Sequence, residues 1–110
     1  MGSVNGAQFL MSSLKNASFK NCILDNTNFY TSDLSSTCFE NLMLNNTIFD
    51  KSSLAGTSFR NSVLRNVTFK ISFKTKSSIK KAIFDGATMD KLTYAVLKGY
   101  NADLTNVTVI

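Results

Sequence analysis

The side chains that could carry out chemistry in this chain are few and dispersed. Among 110 residues there are two cysteines and seven carboxylates, and no histidine, which is the commonest general base and metal ligand. The carboxylates are Asp25, Asp33, Glu40, Asp50, Asp85, Asp90 and Asp103. No glycine-rich phosphate-binding motif is present. We therefore expect a protein that is not an enzyme, with no catalytic residue, metal site, cofactor or small-molecule substrate.

The cationic side chains are the second group that could bind a partner. Twelve Lys and Arg outweigh the seven acids, for a net charge of +5. A candidate basic patch lies between positions 60 and 81 and consists of Arg60, Arg65, Lys70, Lys74, Lys76, Lys80 and Lys81. Weak electrostatic binding of nucleic acid would use such a patch, and it would weaken steeply with salt. A solvated face is the preferred interpretation, and nucleic acid is not expected as a partner.

The cysteines and the hydropathy bear on the compartment. Cys22 and Cys38 are sixteen residues apart, a separation that does not stack them in a twenty-residue coil, so they are expected to remain reduced. The sequence shows no secretory signal pattern and no apolar run of membrane-spanning length, so no membrane partner is expected. A cytoplasmic protein is the prediction.

The elements that hold these side chains are set by a five-residue period. Every fifth residue is Phe or Leu in strict alternation, and the series is Phe9, Leu14, Phe19, Leu24, Phe29, Leu34, Phe39, Leu44, Phe49, Leu54, Phe59, Leu64 and Phe69. Five is the period of neither a strand nor a helix, so the chain must turn after each large residue. Two residues before each large residue stands a mostly small one, and Asn, Ser, Lys and Gly often follow, as turns require.

Four such units close a square coil of twenty residues that stacks on the next coil at about 4.8 Å. Phe walls would then face each other, as would Leu walls. The units resemble those of the pentapeptide-repeat family, written A-(D/N)-L-x-x; the clearest matches are Ala102–Asn106, Ala17–Asn21 and Ser32–Ser36. This resemblance implies an all-β, right-handed quadrilateral β-helix of about five coils.

A single domain over 1–110 is expected, with regular repeats at 7–71, an irregular loop at 72–78, and further repeats with a C-terminal cap at 79–110. The loop interrupts the pattern at Lys74, after which large residues return to the same five-residue grid. Because Phe84 then continues the series 24, 44, 64, we expect the loop to replace one side of a coil without shifting the others.

The segment 90–98 leaves two alternatives open. It can form another stretch of coil, since Leu92 to Tyr94 fits the grid. It can also form a short helix, with Asp90 as N-cap, Gly99 as its stop, and Leu92 and Val96 on one apolar face.

Apolar residues at outward positions define a candidate partner surface. Ile23, Met43, Val63 and Ile83 are twenty residues apart and occupy positions where the repeat expects Asp or Asn. An aligned column on one wall predicts contact with another protein. The alternative is that β-branched residues stabilise the sheet without any partner.

A second candidate surface is the apolar end formed by Val107, Val109 and Ile110, which could pair two copies. Relatives in the family that the chain resembles often dimerise through a C-terminal coil or helix, so a homodimer is expected.

The predicted function is that of a protein–protein interaction module or structural scaffold with an unknown protein partner. Some members of the similar family protect DNA gyrase by imitating an acidic DNA duplex. That alternative is disfavoured here because the chain is basic.

Overall fold

The computed structural model describes residues 2–3, 6–73 and 75–110, and these form a four-sided β-helix. Very short parallel strands stack on one another, with the bounds β1 Gly2–Ser3, β2 Cys22–Ile23, β3 Met43–Asn45, β4 Val63–Arg65, β5 Thr88–Met89 and β6 Thr108–Val109. β1 pairs with β2, and β3 to β6 form a separate four-stranded sheet. Through β4 the partners along the stack are twenty residues apart, as the period predicts.

We name the four sides of the stack by their outward residues. Wall A carries Gln8, Asn28, Ile48 and Thr68; wall B carries Ser13, Asp33 and Ser53; wall C carries Ser18, Cys38, Ser58 and Ile83. Wall D carries Ile23, Met43, Val63, Thr88 and Thr108.

The interior is filled by the alternating large residues. Phe rings stack along the axis in two columns, 5.0–5.3 Å apart, over Phe9, Phe29, Phe49 and Phe69 and over Phe19, Phe39, Phe59 and Phe84. Rings of the two columns meet edge to face at 5.3–6.0 Å. Offset and edge-to-face contacts are the geometries that aromatic pairs prefer. The predicted opposing Phe walls are therefore present.

Most corners are turns with one residue in the left-handed region. In the turn after Leu24, Asn26 has φ 59° and the N–H of Thr27 donates to the Leu24 carbonyl at 3.2 Å. Asparagine tolerates this conformation, which explains its frequency after the large residue. Thr31 adopts the same conformation with φ 57°, although it is β-branched.

The small inward positions carry hydroxyls that link neighbouring coils. Thr37, Thr47 and Thr57 donate to the carbonyls of Leu14, Leu24 and Leu34 at 2.7, 2.9 and 2.6 Å. Ser32 and Ser52 make the equivalent bonds to Phe9 and Phe29. Each donor lies twenty-three residues after its acceptor. The hydroxyls thus satisfy buried carbonyls that the parallel ladder leaves with a free lone pair.

The loop near 72–78 shifts the columns, so the expectation that it merely replaces one side was wrong. Beyond it, Val63 pairs with Thr88 and Ser58 with Ile83, at separations of twenty-five. The loop adds one extra unit between Phe69 and Ile79. Phe84 therefore stacks on Phe59 at 5.1 Å, within the Phe column.

The segment after β5 is the helix α1, Lys91–Gly99, and not a stretch of coil. Asp90 is its N-cap, as the helical alternative requires, and accepts a hydrogen bond from the N–H of Thr93 at 3.0 Å. Thr93 and Leu97, not Leu92 and Val96, are the residues that α1 buries. Asp90 and the nine residues of α1 replace two sides of a coil, so β6 pairs with β5 at the usual separation of twenty residues.

Candidate interaction surfaces

The apolar column on wall D is shorter than expected. Met43 pairs with Val63, and the side chains of Ile23 and Met43 are 42% and 57% exposed. Ile83 does not continue this column, because the extra unit moves it to wall C beside Ser58. Thr88 occupies its place on wall D. The column therefore consists of Ile23, Met43 and the half-buried Val63.

A cleft of about 420 Å³ opens on wall D where the two sheets are separated. It is lined by Asn21, Cys22, Ile23, Asp25, Asn41, Leu42, Met43 and Asn45. Leu42 stands at a small inward position that Ser62 occupies in the next coil, where the Ser62 hydroxyl bonds the Phe39 carbonyl at 2.5 Å. A leucine side chain cannot make the equivalent bond, and Leu42 is instead buried in the apolar core.

The C-terminal coil exposes apolar side chains at the end of the stack. Val109 and Ile110 are 41% and 48% exposed, and Val107 is half-buried. Strand β6 pairs with β5, and the N–H of Ile110 donates to the Met89 carbonyl at 3.0 Å. The three residues of the candidate dimer end thus lie together on the last described coil.

In the described part of the chain, the residues of the candidate basic patch lie at several places. Arg60, Lys80 and Lys81 line a cleft of about 450 Å³ that also contains Asp85 and Asp103. Arg60 lies 3.9 Å from a carboxylate oxygen of Glu40. Lys70 lines a different cavity, Arg65 lies in β4 and Lys76 is exposed in the loop, while Lys74 lies outside the described residues. Mixed charges in the Arg60 cleft weaken its attraction for a polyanion.

The carboxylates mostly bond to nearby groups of their own chain. Asp33 accepts hydrogen bonds from the Ser35 hydroxyl and N–H at 2.7 and 3.1 Å. The Ser35 hydroxyl is the main reason that the pKa of Asp33 lies below its ordinary value, and Lys15 at 3.5 Å contributes.

Cys22 and Cys38 are free thiols. Among residues 2–3, 6–73 and 75–110, no group of three or more potential metal ligands is clustered.

One surface was missed in the sequence, a groove of about 390 Å³ between α1 and the coil beneath it. It is lined by Asn66, Val67, Thr68, Phe69, Lys70, Leu92, Thr93, Val96 and Tyr100. The available signal was the pair Leu92 and Val96, which the helical alternative placed on one apolar face. In the structure the side chain of Leu92 is 70% exposed at the groove.

No helix in the described part of the chain is long and apolar enough to cross a membrane.

Comparison with known proteins agrees with the geometry of these coils. Residues 12–50 match the family model described as Pentapeptide repeats, in eight copies. Residues 12–50 thus carry the pentapeptide repeats that this model describes. No curated protein matches the chain. Its fold is the predicted all-β, right-handed quadrilateral β-helix.

Several solved pentapeptide-repeat structures are similar to this chain. QnrB1, described as a plasmid-mediated fluoroquinolone resistance protein, is 14% identical with a TM-score of 0.55, over 98% of this chain and 57% of that one. A thylakoid-lumen pentapeptide repeat protein from Arabidopsis thaliana is 19% identical with a TM-score of 0.43, over 78% and 60%. HetL, involved in heterocyst differentiation regulation in the cyanobacterium Nostoc sp. strain PCC 7120, is 16% identical with a TM-score of 0.42, over 80% and 46%. The chain thus spans about half to three fifths of the length of these structures.

Proposed function

We propose that this pentapeptide-repeat chain is a non-enzymatic scaffold that acts by binding another protein on its outer walls. The observation that carries the proposal is the division of side chains between inside and outside. The interior is closed by stacked Phe and Leu side chains that are almost wholly buried, so it offers no room for a substrate. Function must then depend on residues that project outward.

Wall D is the first binding surface that we propose, centred on Ile23 and Met43. Their exposed apolar side chains flank the 420 Å³ cleft between the two sheets. Single exposed apolar residues are ordinary, but two that border one cleft offer a partner a continuous contact. A rigid stack holds them in place, so binding requires little loss of backbone freedom.

The test is a capture experiment with a substitution on wall D. The tagged chain, Met43→Asp and the control Ser18→Asp are used as baits, and the recovered proteins are compared by mass spectrometry. Ser18 is exposed at the equivalent outward position of wall C, so its substitution adds the same charge on another side. We expect one protein to be recovered by the unchanged chain and Ser18→Asp but lost with Met43→Asp. Identical recoveries by all three would overturn the proposal for wall D.

A homodimer is the second part of the proposal, with Val107, Val109 and Ile110 as the contact. Light scattering over a range of concentrations and two salt strengths tests it. We expect the mass of a dimer, reduced to that of a monomer by Val109→Asp and unchanged by Ser18→Asp. A monomer at every concentration would contradict the dimer and leave wall D available to a different protein. If Met43→Asp abolishes the dimer and Val109→Asp does not, the two copies associate through wall D.

The proposal does not extend to fluoroquinolone resistance. The likeness to QnrB1 at 14% identity concerns the fold. A surface with a net charge of +5 is a poor imitation of DNA, because a DNA-binding site is itself cationic and would repel it. We propose a cytoplasmic location, which suits the two free thiols.

A further inference from the structure

The corner between walls A and B carries the two most exposed large apolar side chains of the described residues. They are Phe73 and Met11, which are 97% and 78% exposed. Backbone hydrogen bonds join the coils at this corner, from the N–H groups of Met11, Thr31 and Lys51 to the carbonyls of Tyr30, Asp50 and Lys70, at 3.0, 2.9 and 2.6 Å. Phe73 lies in the loop that leaves the last of these corners. We name this line of side chains the A/B edge, and it consists of Leu10, Met11, Tyr30, Lys51, Lys70 and Phe73.

The A/B edge lies in the basic part of the chain. Between Lys51 and Phe84 the sequence contains Lys51 and the seven residues of the candidate basic patch, and no acid. Lys51 and Lys70 are exposed on the edge, and Lys76 is exposed in the same loop as Phe73. The Nζ of Lys51 lies 5.6 Å from the centre of the Tyr30 ring. Apolar and cationic side chains therefore share one line on the surface.

Three acids lie near the edge, and each is bonded within this chain. Asp50 stands at the same corner, where its carboxylate accepts a hydrogen bond from the N–H of Lys70 at 3.0 Å. Asp33 on wall B lies 3.5 Å from the Nζ of Lys15. Asp90, beyond wall A, accepts two backbone N–H groups. None of the ion pairs among the described residues involves a lysine of the edge or of the loop, so these cations remain available to a partner.

The shape of the edge favours a lipid surface over a folded protein. It is a convex corner of the stack and runs over three coil spacings, about 14 Å. Lysines separate its apolar side chains, so these form no continuous patch for a protein to cover. Lipid headgroups rearrange around separate side chains, and aromatic residues with lysines are typical of segments that lie in this interface. A DNA duplex would bind the lysines and leave Phe73 and Met11 in water.

We propose that the A/B edge binds the surface of an anionic lipid bilayer, with Phe73 and Met11 inserted among the headgroups and Lys51, Lys70 and Lys76 beside their negative charges. The apolar side chains supply insertion, the lysines supply attraction, and stable binding requires both. The expectation that the chain has no membrane partner rested on the lack of a spanning segment, and a contact in the interface requires none. The proposal goes beyond protein binding, because wall D does not meet this corner and stays open to its own partner.

A tryptophan reporter tests insertion directly. The chain contains no Trp, so the fluorescence of Phe73→Trp comes from the edge alone. We expect its emission to shift to the blue on addition of vesicles made of equal parts phosphatidylcholine and phosphatidylserine, and to stay unchanged with phosphatidylcholine alone. The matched control is Met43→Trp on wall D, which should bind the same vesicles without a shift. Rising salt should release the protein.

Co-sedimentation with the anionic vesicles measures the contribution of each side chain. Phe73→Ser should weaken binding about tenfold. Met11→Asn should also weaken it, and asparagine suits the φ of 51° at this position. Lys70→Glu should weaken binding about fivefold or more. Lys20→Glu makes the same change of charge at the diagonally opposite corner, after Phe19 of wall C, and should have a smaller effect.

The outcomes remain distinct from those of the capture experiment, because no variant that tests binding in this way changes wall D. Phe73, Met11 and Lys70 are exposed, so their variants should fold, as circular dichroism will check. No binding to the anionic vesicles, equal binding to phosphatidylcholine alone, or an unshifted Phe73→Trp emission in the bound protein would each overturn the proposal. Equal losses with Lys70→Glu and Lys20→Glu would overturn it too. Binding of a DNA duplex that Phe73→Ser weakens as strongly would assign the edge to nucleic acid instead.

Discussion

At the scale of single residues, the corner positions show where sequence and backbone conformation disagree. Most corners carry Asn or Gly, but Thr31 has φ 57° and is β-branched. The left-handed conformation brings Cβ close to the following carbonyl, and branching at Cβ adds to this crowding. Thr31→Asn should therefore raise the free energy of unfolding by about 1 kcal/mol, measured by urea denaturation. The reverse exchange at an equivalent corner, Asn46→Thr, should lower it; an unchanged stability in both variants would contradict the argument.

The buried hydroxyls are a second feature at this scale. Thr47 is fully buried and donates to the Leu24 carbonyl at 2.9 Å. Thr47→Val keeps the shape but removes the donor, so it should lower the free energy of unfolding by about 1 kcal/mol. The loss is moderate because the Leu24 carbonyl also accepts from the N–H of Thr27. The control is Val67→Thr, the opposite exchange at another small inward position. A Thr47→Val variant as stable as the unchanged chain would show that the hydroxyl contributes nothing net.

At the scale of elements, Asp90 connects α1 to the coil beneath it. Asp90→Ala removes the acceptor for both Thr93 and Asn66 and should cost about 1–2 kcal/mol. Asp90→Asn should cost less, because asparagine is also a good N-cap. Urea denaturation followed by circular dichroism measures both. Equal stability of Asp90→Ala and the unchanged chain would mean that the packing of α1 against the core, and not the cap, holds the helix.

The charge of Asp90 also gives a pH dependence. Burial raises the pKa of Asp90, but the hydrogen bonds from Thr93 and Asn66 outweigh it, and the pKa lies below its ordinary value. A carboxyl whose pKa is lowered by folding stabilises the folded state above its unfolded pKa, about 3.9, and loses this contribution as pH falls through the folded pKa. The stability difference between the unchanged chain and Asp90→Asn should be constant near neutrality and shrink in acid. A difference that grows on acidification would contradict the lowered pKa.

The identity of α1 shows the limit of local sequence signals. The N-cap Asp90 and the stop at Gly99 were both readable, yet Leu92 to Tyr94 also fitted the five-residue grid. Two apolar stripes on one short helix could not be assigned to core or surface from the sequence. That choice depends on which side meets the coil beneath, and hence on the stacking of residues distant in the chain. The groove was missed for the same reason.

At the scale of the whole molecule, the repeat predicted the walls but not their alignment after the loop. An insertion of five residues keeps the later large residues on the five-residue grid, but it moves each of them to the next wall of the stack. The alternation of Phe and Leu contained the missing information. Phe84 over Leu64 would place a Phe in the Leu column, whereas Phe84 over Phe59 continues the Phe column, with ring centroids 5.1 Å apart. The prediction that Ile83 lies on wall D was wrong because it used only the five-residue spacing and ignored that the next residue, Phe84, belongs with the Phe column.

Deletion of residues 71–75 tests the extra unit directly. It would join Lys70 to Lys76, so that Lys76 takes the corner that Lys51 occupies with φ 58° and Ile79 follows Phe69 at the regular spacing. If the loop is an insertion, the coils above and below keep their pairing, and the chain should fold with only a small loss from the half-buried Ile71. Circular dichroism, urea denaturation and light scattering measure this.

The matched control is deletion of residues 51–55, a regular unit of the same length. It should destabilise the chain severely, because it removes the buried Leu54 and moves every later column by one wall. If deletion of 71–75 were equally damaging, the loop would have to supply a side of the coil, and the shifted register could not be correct. If it is tolerated, the stack accepts whole extra units at a corner, which explains how one irregular loop can lie between coils whose side chains continue to pack Phe on Phe.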